Sequence, residues 1–201
     1  MGCRQSSTEG DETTKAGSLT NVNEIMADAL PDPAPPAPTD PRLPLDARQV
    51  FKLKKSWKGI KRCMADTGVE MFIRMFRANA DIRNMFVRFQ HLKTEDEIRV
   101  SELVEKHAIS VMGTLDELIS NIDNVDYVLD VLKATGQSHM KFPGFQTELI
   151  WEMEKPFLEA VKITLGDRYS DNMDTIYRIT IKFILDSLIR LSTAPVSNSV
   201  S

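Results

Sequence analysis

An all-α fold in a single domain is what this sequence predicts, and three observations predict it. From Leu45 onward apolar residues recur at three- and four-residue steps. No stretch alternates apolar and polar residues with the period of two that a half-buried strand needs. The gaps between periodic stretches hold helix-start and helix-stop residues such as Asp46, Thr94, Asp123, Gly144 and Gly166. At 201 residues and 42% hydrophobic, the chain can bury one core and still carry extra segments.

Residues 1–44 read differently. Seven of the ten prolines lie there (Pro31, Pro33, Pro35, Pro36, Pro38, Pro41 and Pro44), with seven acidic side chains against three basic ones. The segment is too polar, and too poor in aromatics, to offset the entropy of ordering it. Its second half, PDPAPPAPTDPRLP, reads as an extended, semi-rigid linker. A flexible chain of this length spans on the order of 35 Å. It opens with MGCRQS, the pattern for N-myristoylation of Gly2, with Cys3 beside it for S-palmitoylation. One myristoyl chain binds a membrane only marginally, roughly 10⁴ M⁻¹, so a second signal is needed. Arg4 and Lys15 are offset by Glu9, Asp11 and Glu12, which leaves an acyl chain on Cys3 to supply it. The expected layout is a disordered, acylated tail over 1–44, a helical domain over 45–193 and a disordered end over 194–201.

Within the domain, the first helix opens at Asp46 as N-cap and carries Val50, Leu53, Trp57 and Ile60 inward. The second is expected after Asp66-Thr67-Gly68, with Val69, Phe72, Met75 and Phe76 on one side. Residues 79–89 read as short and broken, pointing Ile82, Met85, Phe86 and Phe89 inward. Thr94-Glu95-Asp96-Glu97 is a capping box for a helix through Val100, Leu103, Val104, His107, Val111, Leu115 and Leu118. The next helix starts near Asp123 and runs through Val128 and Leu132 to His139. Gly136 marks its weakening and Pro143-Gly144 its end. A helix over about 145–165 contains Pro156, which predicts a kink. The last helix runs from about Ser170 to Leu191.

Composition narrows the function. The net charge is −4, and no basic run or aromatic-basic stripe is read along the chain, so nucleic acid is not an expected partner. No apolar run approaches the roughly 20 residues of a spanning helix, and the N-terminus lacks a secretory apolar region. The two cysteines, Cys3 and Cys63, lie in unlike contexts, which speaks against a disulfide scaffold and for a reducing compartment. Cys63 reads as a structural thiol.

The chemistry lies in the histidines. His91 sits in the polar stretch QHLKTEDE and reads as a surface residue. His107 and His139 each fall inside the apolar stripe of a helix. A lone histidine there is more often a satisfied core residue than a ligand, but two on neighbouring helices point to a shared cofactor. Zinc wants three or four N, S or O ligands, and the cysteines and carboxylates do not share those faces. Haem needs an apolar slot and an axial imidazole, for which Phe86, Phe89 and Val111 can supply walls. Ordinary core packing is the other account of those phenylalanines.

The stretch RMFRANADIRNMFVRFQHLKTEDEIRVSELVEKHAISV, followed by LKATGQSHMKF, resembles the globin family over about residues 45–193. Phe86, His107, Val111, His139 and Trp57 fall in its register. Gly2-Cys3 on an extended tail is similar to the acylated, membrane-associated globins of the globin X type. The resemblance implies about eight helices around haem b (iron protoporphyrin IX). It implies His139 as the proximal iron ligand, its other ring nitrogen held by a backbone carbonyl or by Ser138. His107 would hydrogen-bond bound O₂ or ligate the iron as a sixth ligand. Phe72 falls at a ligand contact and Arg88 at a haem-propionate contact, while Thr135 replaces a bulky apolar residue.

A tethered globin is a poor bulk oxygen store. The expectation is therefore haem redox chemistry or gas sensing at the cytoplasmic face of a membrane, the plasma membrane first. O₂, NO or another diatomic gas would be the ligand and a reductase the electron donor, with nitrite reduction or NO dioxygenation as candidate activities. The alternatives are a reversible oxygen carrier and a haem-free interaction module.

Overall fold

The computed structural model describes residues 40–193, and all regular structure among them is helical. Eight α-helices run in order: α1 Ala47–Lys61, α2 Met64–Ala78, α3 Ala80–Met85, α4 Glu95–Arg99, α5 Glu102–Ser120, α6 Val125–His139, α7 Glu154–Leu165 and α8 Asp171–Ser192. The expected acylation sites Gly2 and Cys3 and the C-terminal end lie outside the described residues.

Local chemistry accounts for most helix starts. Asp46 caps α1 in a full capping box, accepting from Gln49 N at 2.7 Å while Gln49 Oε1 accepts from Asp46 N at 3.0 Å. Asn79, Ser101, Asn124 and Ser170 cap α3, α5, α6 and α8 through their side chains. Leu43 and Leu45 are buried just ahead of α1, so the core begins at Leu43.

Several expectations need correction. The Thr94 capping box is present, but it opens only the five-residue α4. The chain then restarts at Ser101, leaving Val100 82% exposed where an inward side chain was expected. The second helix begins at Met64, ahead of Gly68, and Met85 is 37% exposed. Pro156 makes no kink inside a long helix. Residues 147–153 form a 3₁₀ segment, α7 starts at Glu154, and Pro156 sits in its first turn, where a missing N–H breaks no helical bond. Cys63, expected as a thiol, is half-buried at the start of α2 and disulfide-bonded.

Two close approaches set the helix positions. Gly68 of α2 lies against α5, where a Cβ would come 3.0 Å from Ala108 Cβ and 3.1 Å from its carbonyl oxygen. Gly136 lies inside α6 against α8, where a Cβ would meet Ser192 Oγ and come 3.0 Å from Leu188 O. Gly136, read from the sequence as a weak point of the helix, is therefore a contact point between α6 and α8. Elsewhere, Trp57 of α1 is buried against Phe157 and Tyr177, with its indole N–H donating to Asp116 of α5 at 2.9 Å. Burial pushes the Tyr177 phenol up to about 12, so its hydroxyl stays protonated beside Ser56 Oγ at 2.9 Å.

Helix propensity and packing make opposite predictions at Gly136. Propensity alone favours alanine by about 1 kcal/mol; overpacking against the α8 backbone costs about 1–3 kcal/mol. Gly136→Ala is expected to lower the urea midpoint, and a raised midpoint would overturn the packing account.

Candidate functional site

His139 ends α6, and its ring is oriented from within its own helix. Nδ1 lies 2.8 Å from the Thr135 carbonyl oxygen one turn back, which makes Nδ1 the protonated nitrogen and leaves the Nε2 lone pair free. Ser138 Oγ donates to the same carbonyl at 2.7 Å. Ser138, expected as a direct partner of His139, instead shares its acceptor and is itself exposed. Thr135 thus does the orienting through its backbone, a role visible in sequence only as the four-residue step to His139. The His139 ring also packs on Phe145, with centroids 5.4 Å apart.

Across from it, α5 carries His107 into an aromatic cluster. Its ring lies 5.2 Å from Phe72, 5.5 Å from Phe86 and 6.0 Å from Phe89, while Phe86 and Phe89 stack at 5.3 Å and 9°. Phe76 closes the group against Phe72, Phe86 and Phe89. His107 makes no hydrogen bond among the described residues, so its position comes from packing alone. Burial, with a lesser contribution from the charge of His139, lowers its pKa below the usual imidazole value. At neutral pH His107 is uncharged and holds a free lone pair.

The two histidine helices are anchored on opposite sides. α5 packs on α2 and α1, α6 packs on α8, and α5 and α6 make no extended contact with each other. Leu103, Val111, Leu129 and Leu149 are only partly buried and lie against the core, apolar side chains with one side uncovered. Arg88 is exposed beside Phe89 and forms no ion pair among the described residues. His91 is exposed, as expected. No group of three or more His, Cys, Asp or Glu side chains converges among the described residues.

Ion pairs hold the approach to α5. Arg77 meets Glu95 with two bonds of 2.6 Å, Arg99 reaches Glu70 at 3.0 Å, and Arg74 bridges Glu70 and Glu159 at 2.8 and 2.7 Å. They tie α4 to α2 and α2 to α7. A concavity of about 340 Å³ between α2 and α7 is lined by Arg74, Arg77, Trp151 and Lys155 and contains no histidine.

The depressed His107 pKa has a stability consequence. The unfolded imidazole takes up its proton near 6.5 and the folded one only at lower pH, so falling pH protonates the unfolded chain first. The ligand-free chain is expected to lose stability as pH drops below 6.5 towards the depressed folded value. His107→Leu removes that component, so its urea midpoint should fall less between pH 7.5 and 5.5. Equal slopes in the two proteins would refute the account.

Comparison with known proteins points one way. The family model described as Globin matches residues 69–188, more than half the chain. Cytoglobin-1 of Oryzias latipes is 30% identical over 96 residues, covering 48% of this chain and 54% of that protein. The chain thus spans about half the length of this curated relative. Among solved structures, a hexacoordinated haem protein from an anhydrobiotic tardigrade superposes with a TM-score of 0.75 at 36% identity, covering 78% of this chain and all of the other. With one imidazole on each of two separately anchored helices and a family match over most of the domain, this chain belongs to the globin family.

Proposed function

We propose that this chain binds haem b between α5 and α6, with His139 as proximal ligand and His107 as a sixth ligand. The observation that carries the reading is a free ring nitrogen on each of two helices: His139 on α6 with Nδ1 tied to Thr135, and an uncharged, packing-held His107 on α5. The donor set fits the group, since two imidazoles with available ring nitrogens and an apolar lining are what a six-coordinate haem takes. The solved relative is itself described as hexacoordinated. Bound haem supplies a one-electron couple and a site for O₂, NO or another diatomic gas.

The chain's residues divide the work. Thr135 fixes the tautomer and orientation of His139 and raises its basicity as a ligand. Phe72, Phe86 and Phe89 hold the His107 ring in place without a hydrogen bond, so the protein itself would restrain that ligand by packing alone. Val111 lines the apolar wall, and Arg88 is free to meet a haem carboxylate at the solvent edge. A displaceable sixth ligand suits redox chemistry or gas sensing more than storage. An electron-donating reductase is the implied partner.

We further propose that the domain works at the cytoplasmic face of the plasma membrane, held by myristoyl-Gly2. Cys3 can add a second acyl chain only where its thiol is free. The amide-linked chain on Gly2 carries no such condition.

The ferrous, ligand-free absorption spectrum tests the haem reading. Sharp, split low-spin bands are expected, collapsing to one broad high-spin band in His107→Leu. A broad band in the parent protein would favour an oxygen carrier, and no Soret band after reconstitution would leave the interaction module. For the tether, Gly2→Ala is expected to move the protein from the membrane to the soluble fraction at physiological salt; unchanged fractionation would exclude myristate as the anchor.

A further inference from the structure

The outward face of α1 is the strongest charged feature of the domain. Residues 47–62 carry seven basic side chains and no acidic one, in a chain whose net charge is −4. No basic run was expected from the sequence, because the lysines of KLKKSWKGIKR are interleaved with the core positions Leu53, Trp57 and Ile60. The helix sorts them. Lys54 and Lys61 turn to Asp123 and Asp116 at 2.8 Å each. Lys52, Lys55, Lys58 and Arg62 are exposed and meet no carboxylate among the described residues.

These four follow one another at three- and four-residue steps and so share one face. Phe51 stands in the same stripe, 66% exposed, on the side opposite the buried Trp57. Gly59 leaves a gap in the stripe, and Arg168 from the turn before α8 fills it: a Cβ on Gly59 would come 3.3 Å from Arg168 Nη1. The face therefore carries Lys52, Lys55, Lys58 and Arg62, without carboxylate partners among the described residues, around one protruding aromatic ring.

We infer that this face docks on an anionic phospholipid surface, with the basic residues at the headgroups and Phe51 entering the interfacial layer. The composition is that of an interfacial basic helix: cations around an aromatic that gains by leaving water. Its place in the chain agrees, since residues 1–39, with the Gly2-Cys3 start, join the domain at the N-terminal end of α1. A flat surface meets this face alone and avoids the acidic excess on the remainder. A nucleic acid or an acidic protein, which wraps or interlocks, would meet both. The inference stands beside the acylation reading and does not require it, because it concerns the folded domain.

The test uses the full, haem-reconstituted chain made without acylation, so failure of the acyl tether cannot imitate failure of the face. The probe is vesicles of phosphatidylcholine with and without about a third phosphatidylserine. Co-sedimentation with the anionic vesicles only is expected, reversed by high salt. The Lys52→Gln, Lys55→Gln, Lys58→Gln triple variant should lose about a hundredfold in partition, at roughly fivefold for each basic residue near the surface. Phe51→Ala should lose about tenfold, and both variants should keep the parent Soret spectrum. Equal partition into neutral vesicles, or an unchanged triple variant, would overturn the proposal. Absence of partition would overturn it too and leave the face to an acidic protein or nucleic acid.

Discussion

The fold depends on one constraint: α5 and α6 must be held firmly while not packing on each other. Each is fastened to a different partner by a crossing that only a small residue permits, α5 to α2 at Gly68 and Ala108, and α6 to α8 at Gly136 and Ser192. With backbones that close, dispersion contacts accumulate over both helix pairs and the crossing points have little room to slide. The two histidines inherit that definition. Two helices that do not pack on each other hold their positions only where their outer sides are anchored, and these two contacts provide the anchoring.

The two imidazoles are held by unlike means. His139 is oriented by a polar contact inside its own helix turn, which would survive modest repacking around it. His107 is oriented by three phenylalanine rings and makes no hydrogen bond among the described residues. Apolar contact is non-directional, so the second ring can leave its place at lower cost than the first. Burial keeps it neutral, and neutrality keeps its lone pair available. The two rings thus differ in how their surroundings hold them, one by a polar contact and one by packing.

Charge is distributed with a comparable division. Around α4, opposite charges are matched between helices, so Arg77, Arg99 and Arg74 are absorbed by Glu95, Glu70 and Glu159. Along the outer face of α1, Lys52, Lys55, Lys58 and Arg62 meet no carboxylate among the described residues. Exposed pairs add little stability singly, and a network crossing three helices acts chiefly on their register. An unmatched band has no such structural use, which is why it bears on partners.

The sequence alone determined the helical class, the inward stripes, the Asp46 and Thr94 caps and the two histidines, because each is written in local spacing: 3.6-residue periodicity, a capping pair three residues apart, a polar ring in an apolar stripe. Tertiary structure alone decided the rest. Gly136 has the residue type of a helix end, and only the approach of α8 makes it a crossing point. Val100 continues the apolar step pattern, yet the restart at Ser101 turns it to solvent. Pro156 would kink a helix that began ten residues earlier, and does not because α7 begins two residues before it. The lysines of α1 became a face once Lys54 and Lys61 were seen to find carboxylates and their neighbours were not. At Gly136 and along α1 the deciding contacts come from residues far away in the chain, and local spacing carries no record of which distant element will arrive.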